Sequence, residues 1–240
     1  MIFIPQPLAP ARSEDILIIG GSSGVFCGVM KNERRFLSQR RIVSTFFKST
    51  SHFSGPTIFF DIREPDSLHI HLRKIGLTIP ETLVISVGVT RINEEDGLKD
   101  FSAESASLLF SLNVFKIIEL LKIIIEHTSN RLKVYILSSS SGSISDRGML
   151  PHHSRGGPIS YRASKAALNM FVKCLSFDFS GTHSFYLLHP GFVQTASNNP
   201  SGTVRPSEFQ RRLFEFIHTG HYDVPSGSFY DLIESKFINW

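Results

Sequence analysis

Short apolar runs alternate along this chain with segments of helical periodicity, and this alternation constrains the fold more than any other feature. Runs rich in aliphatic, β-branched and aromatic residues predict strands at Ile16–Ile19, Ile42–Phe47, Thr57–Phe60, Leu83–Ile85, Lys133–Leu137, Phe185–Leu188 and Phe229–Tyr230. The segments between them predict helices, among them Ala103–His127, Tyr161–Phe179 and Glu208–His218. Near-continuous apolar strands separated by helices indicate a mostly parallel sheet covered on both faces, so the sequence predicts a doubly wound α/β fold.

The size and composition of the chain favour one globular domain. Its 240 residues suit one compact domain better than two, and 41% hydrophobic with 19% charged residues is typical of a globular protein. We expect a single domain over residues 1–240, with residues 1–14 as an N-terminal extension too proline-interrupted for a signal peptide. Glu119 and Lys122 interrupt the longest apolar stretch, which falls short of the ~20 residues of a membrane helix. These features predict a soluble, cytoplasmic protein with no membrane partner.

The charged residues and the cysteines disfavour several function classes. The formal charge of +4 is spread over basic pairs rather than tracts, which argues against a nucleic-acid partner. It favours a cofactor phosphate as the group that some of this positive charge binds. Cys27 and Cys174 give no disulfide framework and no metal spacing, so we expect two buried thiols within helices. The adjacent His152 and His153 lack a suitably spaced carboxylate, which disfavours a metal site.

The 21 Phe residues predict a large aromatic core and an apolar substrate pocket.

A glycine-rich turn closes the first predicted strand. The segment Gly20-Gly21-Ser22-Ser23-Gly24 lies between that strand and a run of helical spacing that begins at Val25. Glycines let the backbone turn sharply and approach a diphosphate, and the N-terminus of the next helix supplies amide donors. Such a segment is also compatible with a plain tight turn, but in this position it favours a Rossmann-type dinucleotide site.

Tyr161 and Lys165 lie one helical turn apart and therefore share a helix face. A phenol is a useful acid only if its pKa falls well below its usual ~10, and a neighbouring ammonium lowers that pKa by favouring the phenolate. Many helices carry such a pair without any chemical role, so the pair needs support from the rest of the chain.

That support comes from the order of several motifs. Five motifs in this order together resemble the short-chain dehydrogenase/reductase family. They are Gly20–Gly24, Asn113 in a long helix, Ser138-Ser139 after a strand, Tyr161 with Lys165, and Pro190-Gly191 after a further strand. The resemblance covers nearly the whole chain. Several stretches are similar to the branch of that family named after the bacterial C-factor: Gly142–Asp146, Ser160–Asn169, His189–Gly191 and the terminal Trp240.

The resemblance implies a role for each catalytic candidate. Tyr161 would be the general acid/base, giving a proton to a substrate carbonyl oxygen as hydride arrives. Lys165 would lower the pKa of Tyr161 and bind the nicotinamide ribose. Ser139 would hold the carbonyl oxygen, with the serines at positions 138, 140 and 141 as alternatives. Asn113 would kink its helix and hold a water of the proton relay.

The same resemblance implies the cofactor-binding set. It would comprise Tyr161 and Lys165 together with Gly20, Ser22, Ser23, Gly24, Lys48, Asp61, Ile62, Gly88, Pro190, Gly191 and Thr195. Asp61 would meet the adenine through its side chain and Ile62 through its backbone. Pro190 and Gly191 would flank the nicotinamide, with Thr195 near its carboxamide.

The end of the second predicted strand discriminates between the two nicotinamide cofactors. An acidic residue there binds the ribose 2′-hydroxyl and repels a 2′-phosphate, but this chain has Phe46-Phe47-Lys48. Because Lys48 would pair with a 2′-phosphate, the sequence favours NADP over NAD, the alternative being a solvated lysine.

Two segments depart from the family pattern. Phe26 stands where a third glycine is usual, and it must turn away from the diphosphate or obstruct it. After the fourth predicted strand, the usual Asn-Asn-Ala-Gly is replaced by Ile85-Ser86-Val87-Gly88, in which Ser86 keeps one hydrogen-bonding group. Both changes bear on cofactor affinity rather than on proton chemistry.

Two loops bear on the substrate. The long loop between Ser139 and Tyr161 contains His152, His153 and Arg155, which either recognise the substrate or form a solvated tip. A basic set near the second long loop makes a carboxylate or phosphate on the substrate possible: Arg205, Arg211 and Arg212.

The leading hypothesis is an NADP-dependent carbonyl reductase or alcohol dehydrogenase that acts on a small to medium, partly apolar substrate. The resemblance implies a homodimer or homotetramer formed through the two long helices. A second hypothesis is a signalling or cofactor-sensing protein that keeps the fold, in line with the signalling role of the C-factor branch. A third is a non-redox biosynthetic tailoring enzyme, such as a cyclase or dehydratase.

Overall fold

A single sheet forms the centre of the protein. The computed structural model describes residues 15–21, 24–26, 41–47, 56–74, 76–90, 92, 95, 97–148, 157–195, 201–219 and 223–240. The strands within these residues are β1 (Ile16–Ile19), β2 (Ile42–Phe46), β3 (Thr57–Phe59), β4 (Thr82–Ile85), β5 (Lys133–Leu137), β6 (Ser184–His189), β7 (Ser228–Asp231) and β8 (Lys236–Phe237). They form one sheet in the order β3-β2-β1-β4-β5-β6-β7-β8, parallel throughout except for the β7–β8 pair. The predicted doubly wound α/β fold is confirmed.

The strand order creates a crevice at one edge of this sheet. The chain adds β2 and β3 on one side of β1, then returns to build β4 and the later strands on the other side. Ile19 at the end of β1 pairs with Ile85 at the end of β4, so the two central strands stop at the same level. Where the strand order reverses in this way, a ligand-binding crevice opens beyond the carboxyl ends of the strands.

The helices confirm most of the predicted pattern. Those in the described residues are α1 (Ser67–Lys74), α2 (Ala103–Phe110), α3 (Lys116–Glu126), α4 (Ile159–Asp178) and α5 (Pro206–His218). The predicted helix Ala103–His127 is present as α2 and α3, which are joined by a π-helical segment, Ser111–Phe115. The hydroxyl of Ser102 accepts the Ser105 N–H at 3.3 Å, which satisfies one free donor at the start of α2.

Alternate residues of the central strand enter two hydrophobic layers on opposite faces of the sheet. Leu17 and Ile19 pack in the layer that includes α1, α3 and α4, whereas Ile16 and Ile18 pack in the layer that includes α5. Because successive strand residues point to opposite faces, a wholly apolar strand requires helices on both sides. The predicted aromatic core is present in these layers, where the buried phenylalanines include Phe26, Phe185, Phe209, Phe214 and Phe229.

Some local predictions were wrong. Cys174 lies in α4 as expected, but its thiol is exposed because its position lies on the helix face away from the sheet. The two-residue strand β8 was not predicted, since so short an element leaves no periodic pattern. Cys27 lies outside the described residues.

Within the part of the chain that the structure describes, no helix has the length and apolar character needed to cross a membrane. The same residues contain no group of three or more metal-binding side chains that could hold an ion.

Candidate active site

The predicted site residues follow the carboxyl ends of successive strands. Gly20 follows β1, Asp61 follows β3, Gly88 follows β4, Ser139 follows β5 and Pro190 follows β6. These ends meet at one edge of a parallel sheet, so the topology brings the residues to the crevice. Several expected residues lie outside the described residues: Ser22, Ser23, Lys48, His152, His153 and Arg155.

The turn after β1 has backbone conformations that glycine permits. Gly20 has φ +83° and Gly24 has φ +61°, both in the left-handed region. The Gly20 N–H donates to Thr45 Oγ1 at 2.8 Å, which ties the turn to β2. A Cβ atom placed on Gly24 would meet no heavy atom of the described residues within 4 Å. The turn therefore presents bare backbone beside open space, an arrangement that fits a diphosphate.

Phe26 turns away from this open space. Its side chain is fully buried in the hydrophobic layer beneath the turn, where its ring meets that of Phe209 edge-on with centroids 5.5 Å apart. The amide of Gln210, the next residue of α5, donates to the Val25 carbonyl at 3.3 Å and fixes the adjoining backbone. Of the two outcomes expected for Phe26, the structure shows the one in which its side chain turns away from the diphosphate site and packs in the hydrophobic core.

Asn113 lies in the π-helical segment and holds the chain that follows β4. Its Oδ1 accepts the Val89 N–H at 2.7 Å, and its Nδ2 donates to the Val89 carbonyl at 2.8 Å. The same Nδ2 donates to Ser164 Oγ of α4 at 3.2 Å. A π-helical segment inside an α-helix often marks a functional site. Asn113 thus links the β4 end to the helix that carries Tyr161.

Lys165 is buried beneath the same edge of the sheet. Its side chain is 4% exposed, and its Nζ donates to the Leu137 carbonyl at the end of β5 at 3.2 Å. Burial disfavours the charged form and lowers the pKa of the Lys165 ammonium to about 8. A Cβ atom on Gly88 would lie 3.4 Å from Nζ, so glycine at this position keeps the approach to the ammonium open.

Tyr161 is partly buried, and a side-chain hydrogen bond links it to Ser139. Burial raises the pKa of the Tyr161 phenol, and the hydrogen bond with Ser139 acts in the opposite direction. Lys165 Nζ lies 5.9 Å from the centroid of the Tyr161 ring. Burial is the larger influence here, so the expected lowering of the Tyr161 pKa by Lys165 stays a prediction.

The serines next to Ser139 have other contacts. Ser138 Oγ donates to Asn169 Oδ1 of α4 at 2.6 Å. The 3₁₀ turn Ser140–Gly142 packs against the same helix, where a Cβ atom on Gly142 would lie 2.9 Å from the Lys165 carbonyl carbon and 3.0 Å from its Cβ. Glycine at position 142 thus allows the chain after Ser139 to approach the helix of Tyr161 and Lys165 closely.

The ends of β2 and β3 carry a cluster that includes Arg63, which the sequence analysis did not identify. Arg63 Nε donates to Asp61 Oδ2 at 2.8 Å, and the guanidinium carbon lies 4.9 Å from the centroid of the Phe47 ring. The hydrogen bond from Arg63 lowers the pKa of the Asp61 carboxyl. The carboxylate expected to meet the adenine therefore already has an arginine partner. Ile62 is partly buried and packs against the hydrophobic layer.

The chain after β6 is held at the same edge. Gly191 has φ +77°, and a Cβ atom there would lie 2.9 Å from Val204 Cγ2 and 2.7 Å from Ile233 Cγ1. The Gln194 N–H donates to the Val204 carbonyl at 2.8 Å, and Thr195 follows as a partly buried residue. Only glycine fits directly after Pro190 without displacing these neighbours.

A small pocket opens beside Tyr161. Its wall combines apolar and polar side chains, which include Thr90, Ile92, Glu95, Ser105, Leu109 and Pro158. Such a wall offers both apolar contacts and hydrogen-bonding groups. The arginines expected near an anionic substrate do not line this pocket, and Arg211 pairs with Glu215 at 2.7 Å on α5.

Glu95 and Ser164 are polar residues of the site to which the sequence analysis gave no role. Ser164 joins Asn113 to the first turns of α4, and Glu95 accepts two hydrogen bonds from Ser160. Ser164 is three residues after Tyr161 on the same helix, a spacing that does predict proximity. Glu95 lies in the acidic stretch Glu94-Glu95-Asp96, where its sequence neighbours give no sign of burial.

Known proteins resemble this chain in sequence over a part and in structure over nearly the whole. No protein-family model matches the sequence. A segment of 86 residues, 35% of this chain, is 40% identical to C-signal of Myxococcus xanthus. That segment spans 51% of C-signal, about half the length of this relative.

Three solved structures share the arrangement of strands and helices. A short-chain dehydrogenase/reductase from Burkholderia multivorans with bound NADP is 19% identical, with a TM-score of 0.77 over 98% of this chain and 100% of that chain. The protein has the short-chain dehydrogenase/reductase fold. The carbonyl reductase Sniffer of D. melanogaster is 18% identical, with a TM-score of 0.75 over 95% of this chain and 100% of that chain. An NADPH-bound carbonyl reductase from chicken fatty liver is 19% identical, with a TM-score of 0.71 over 96% of this chain and 95% of that chain. These structures confirm the fold that the sequence predicts.

Proposed function

We propose that this protein is an NADP-dependent oxidoreductase of the short-chain dehydrogenase/reductase family, transferring hydride between a nicotinamide and a carbonyl or alcohol substrate. The observation that carries this proposal is the hydrogen bond between Ser139 and Tyr161, on a helix whose same face carries the buried Lys165. Tyr161 also lines the small pocket at the start of α4. In this proposal Tyr161 is the general acid/base.

The residues around the crevice fit a dinucleotide. The glycine turn has open space beside it, and Phe26 is packed away from that space. In our proposal the residues that hold the cofactor are Gly20, Ser22, Ser23, Gly24, Lys48, Asp61, Ile62, Gly88, Tyr161, Lys165, Pro190, Gly191 and Thr195. Asp61 and Ile62 would lie at the adenine, and Pro190, Gly191 and Thr195 at the nicotinamide.

A preference for NADP over NAD is supported by the end of β2. Phe46 and Phe47 stand where an acid would repel a 2′-phosphate, and the exposed guanidinium of Arg63 lies over Phe47. A guanidinium forms bidentate hydrogen bonds to phosphate oxygens. The proteins from Burkholderia multivorans and chicken bind NADP and NADPH, respectively. Lys48 would add a second cation.

The proposed chemistry assigns a task to each catalytic residue. When bound, a reduced nicotinamide supplies the hydride. Tyr161 donates its proton to the substrate oxygen as the carbonyl carbon accepts the hydride, so one C–H and one O–H bond replace the C=O π bond. Ser139 orients that oxygen by a hydrogen bond, and the Lys165 ammonium favours the phenolate left on Tyr161. Asn113 keeps the chain after β4 in place beside them.

We further propose a single domain over residues 1–240 that acts as a cytoplasmic homodimer or homotetramer on a small to medium, partly apolar substrate. Large apolar side chains are exposed on the two long helical elements, among them Leu108, Phe115, Met170, Phe171 and Phe177. Exposed apolar groups of this size on adjacent helices are typical of a subunit interface. Light scattering coupled to size exclusion measures the assembly directly.

A cofactor titration tests the proposed function. The purified protein is titrated with NADPH and with NADH while nicotinamide fluorescence and the unfolding temperature are followed. We expect tighter binding of NADPH and a larger rise in Tm with it, since a ligand that binds only the folded state stabilises it. No binding of either cofactor at millimolar concentration would contradict the proposal.

The second candidate is a signalling or cofactor-sensing role, which the partial match to C-signal favours. The packing of Phe26 in the core removes one argument for it, namely that the cofactor site is obstructed. Cofactor binding without turnover of any carbonyl in a broad aldehyde and ketone panel would support this second candidate over the first.

A further inference from the structure

The first turn of the helix that carries Tyr161 has no local cap. Helix α4 begins at Ile159, and its N-cap position is Pro158, which makes no side-chain hydrogen bond to the helix. The first N–H groups of a helix have no partner within the helix and need one from elsewhere. The ordinary capping residues Ser, Thr, Asp and Asn are absent from this N-cap position.

A residue distant in sequence supplies the missing partner. Glu95, from the segment between β4 and α2, accepts the Ser160 N–H through Oε1 at 2.8 Å. Its Oε2 accepts the Ser160 hydroxyl at 2.6 Å. Both residues are buried, with 8% of Glu95 and 4% of Ser160 exposed. A carboxylate at a helix N-terminus also interacts favourably with the helix dipole, so this contact fixes the start of α4 from outside the helix.

We propose that Glu95 is a positioning residue for Tyr161, holding the first turn of α4 so that the phenol meets Ser139 and the substrate pocket together. The inference rests on the proposed function, in which Tyr161 exchanges the proton. Ser160 immediately precedes Tyr161, and Glu95 and Tyr161 line the same pocket. Any movement of Ser160 is therefore transmitted to the phenol.

The opposite side of the same turn is fixed independently. Ser164 Oγ donates to the Tyr161 carbonyl at 2.7 Å and accepts a hydrogen bond from Asn113. Tyr161 thus lies between two external contacts, from Glu95 before it and from Asn113 after it. A displacement of about 1 Å at a reacting group can reduce the rate about 100-fold, which gives such a contact a catalytic consequence.

Two substitutions of Glu95 separate its hydrogen bonds from its charge. Glu95→Gln keeps one oxygen for the Ser160 N–H and one NH₂ group for the Ser160 hydroxyl, whereas Glu95→Ala removes both contacts. The two variants carry the same charge at position 95, so a difference between them reports the lost side-chain contacts and not the charge. Among the described residues, the other ionisable groups that share the helix face or the pocket of Tyr161 are Lys165 and Asp100, and both variants keep them.

The test uses the ionisation of the Tyr161 phenol in the protein without cofactor. Tyrosine labelled with ¹³C at Cζ gives one signal for each of the five Tyr residues, and Tyr161→Phe identifies the signal of Tyr161. We expect the phenol pKa of Tyr161 to differ between Glu95→Ala and Glu95→Gln, because a displaced Tyr161 changes both the burial that raises its pKa and the hydrogen bond with Ser139 that lowers it. We also expect kcat of carbonyl reduction to fall about 10- to 100-fold in Glu95→Ala and to be largely retained in Glu95→Gln.

Ser102→Ala is the matched control, because it removes a side-chain cap from α2, a helix without the phenol. It should lower Tm without changing the Tyr161 pKa. Equal phenol pKa values in Glu95→Ala and Glu95→Gln would overturn the inference. If Glu95→Ala does not fold, Glu95→Asp replaces it, since the shorter side chain cannot reach both groups of Ser160. A wild-type protein that binds no nicotinamide cofactor would contradict the proposed function alone, because the NMR titration needs neither cofactor nor turnover.

Discussion

The side-chain nitrogen of Lys165 lies 5.9 Å from the centroid of the Tyr161 ring, with both residues on one face of α4. Burial affects the two groups in opposite directions, raising the pKa of Tyr161 and lowering the pKa of Lys165 to about 8. At neutral pH the phenol therefore keeps its proton while most of the Lys165 population is charged. Carbonyl reduction requires this protonation state, in which the general acid Tyr161 holds a proton and the nearby Lys165 is positively charged.

Carbonyl reduction should slow as the pH rises through about 8. Above that pH Lys165 loses the charge that stabilises the phenolate, whereas Tyr161, with its raised pKa, stays protonated. The measurement is kcat with NADPH across the pH range. Lys165→Arg keeps a positive charge throughout, so its residual activity should show no decline near this pH. A decline in kcat at the same pH in Lys165→Arg would show that a group other than Lys165 causes the decline.

Lys165→Met should abolish turnover and stabilise the protein at neutral pH. The pKa of Lys165 is depressed in the folded state, so its charged form resists burial and reduces stability at neutral pH. Removing the amine should raise the free energy of unfolding at pH 7 by up to about 3 kcal/mol. Between pH 8 and 10.5 the unfolded chain holds this proton and the folded protein does not, so wild-type stability should rise relative to the variant.

Thermal or urea unfolding of both proteins at several pH values measures this effect. Lys173→Met, on the same helix, is the matched control for the loss of a lysine amine. A Lys165→Met protein that is less stable than wild type at pH 7 would show that the hydrogen bond to Leu137 outweighs the cost of burial.

Restoring the family glycine at position 26 should harm this protein. Phe26→Gly would leave a cavity against Phe209 and should lower the free energy of unfolding by about 3–5 kcal/mol, as for other large-to-small core changes. NADPH affinity should not improve, since Phe26 is packed away from the turn. Ile144→Ala, on an exposed residue outside the proposed subunit interface, is the control and should have little effect on unfolding. Tighter NADPH binding in Phe26→Gly would show that the phenylalanine obstructs the cofactor.

Gly142→Ala should reduce activity by displacing the helix of Tyr161 and Lys165. The added Cβ would lie 2.9 Å from the Lys165 carbonyl carbon, so the backbone must shift, at a cost of about 1–3 kcal/mol in stability. Gly181→Ala also introduces strain, because Gly181 has φ +83°, but within the described part of the chain its added Cβ meets nothing within 4 Å. Unfolding and kcat measured on both variants should separate them, with a loss of kcat confined to Gly142→Ala. Equal activities would contradict the close approach of this turn to α4.

The parts of the fold that could be predicted are those that depend on local pattern. The strands at Ile16–Ile19 and Lys133–Leu137 are continuous apolar runs because both faces of the sheet are covered, and such runs can be read without a structure. The glycine turn after β1 was predicted because positive φ angles select glycine. Strand β8, by contrast, depends on pairing with β7 and has too few residues to show a pattern.

The supporting contacts of the site could not be predicted, because they join residues far apart in sequence. Glu95 meets Ser160 and Asn113 meets Ser164 across 65 and 51 residues. The ring of Phe26 contacts that of Phe209 in α5. This contact depends on α5 packing against the sheet beneath the glycine turn, which the local sequence does not show. Local pattern identifies Tyr161 and Lys165, but only the packed structure shows what holds their helix in place.

Replacing Tyr161 by phenylalanine tests the central claim most directly. The phenol is proposed to donate the proton and is only one of many groups in the proposed cofactor site, so the variant should remain folded and largely keep its NADPH affinity. Tyr230→Phe, in β7, controls for the loss of a hydroxyl elsewhere in the protein. The measurement is kcat of NADPH-dependent carbonyl reduction in the three proteins. We expect a loss of about 10²- to 10⁴-fold or more in Tyr161→Phe alone, whereas wild-type turnover by a Tyr161→Phe protein with NADPH bound would contradict the account.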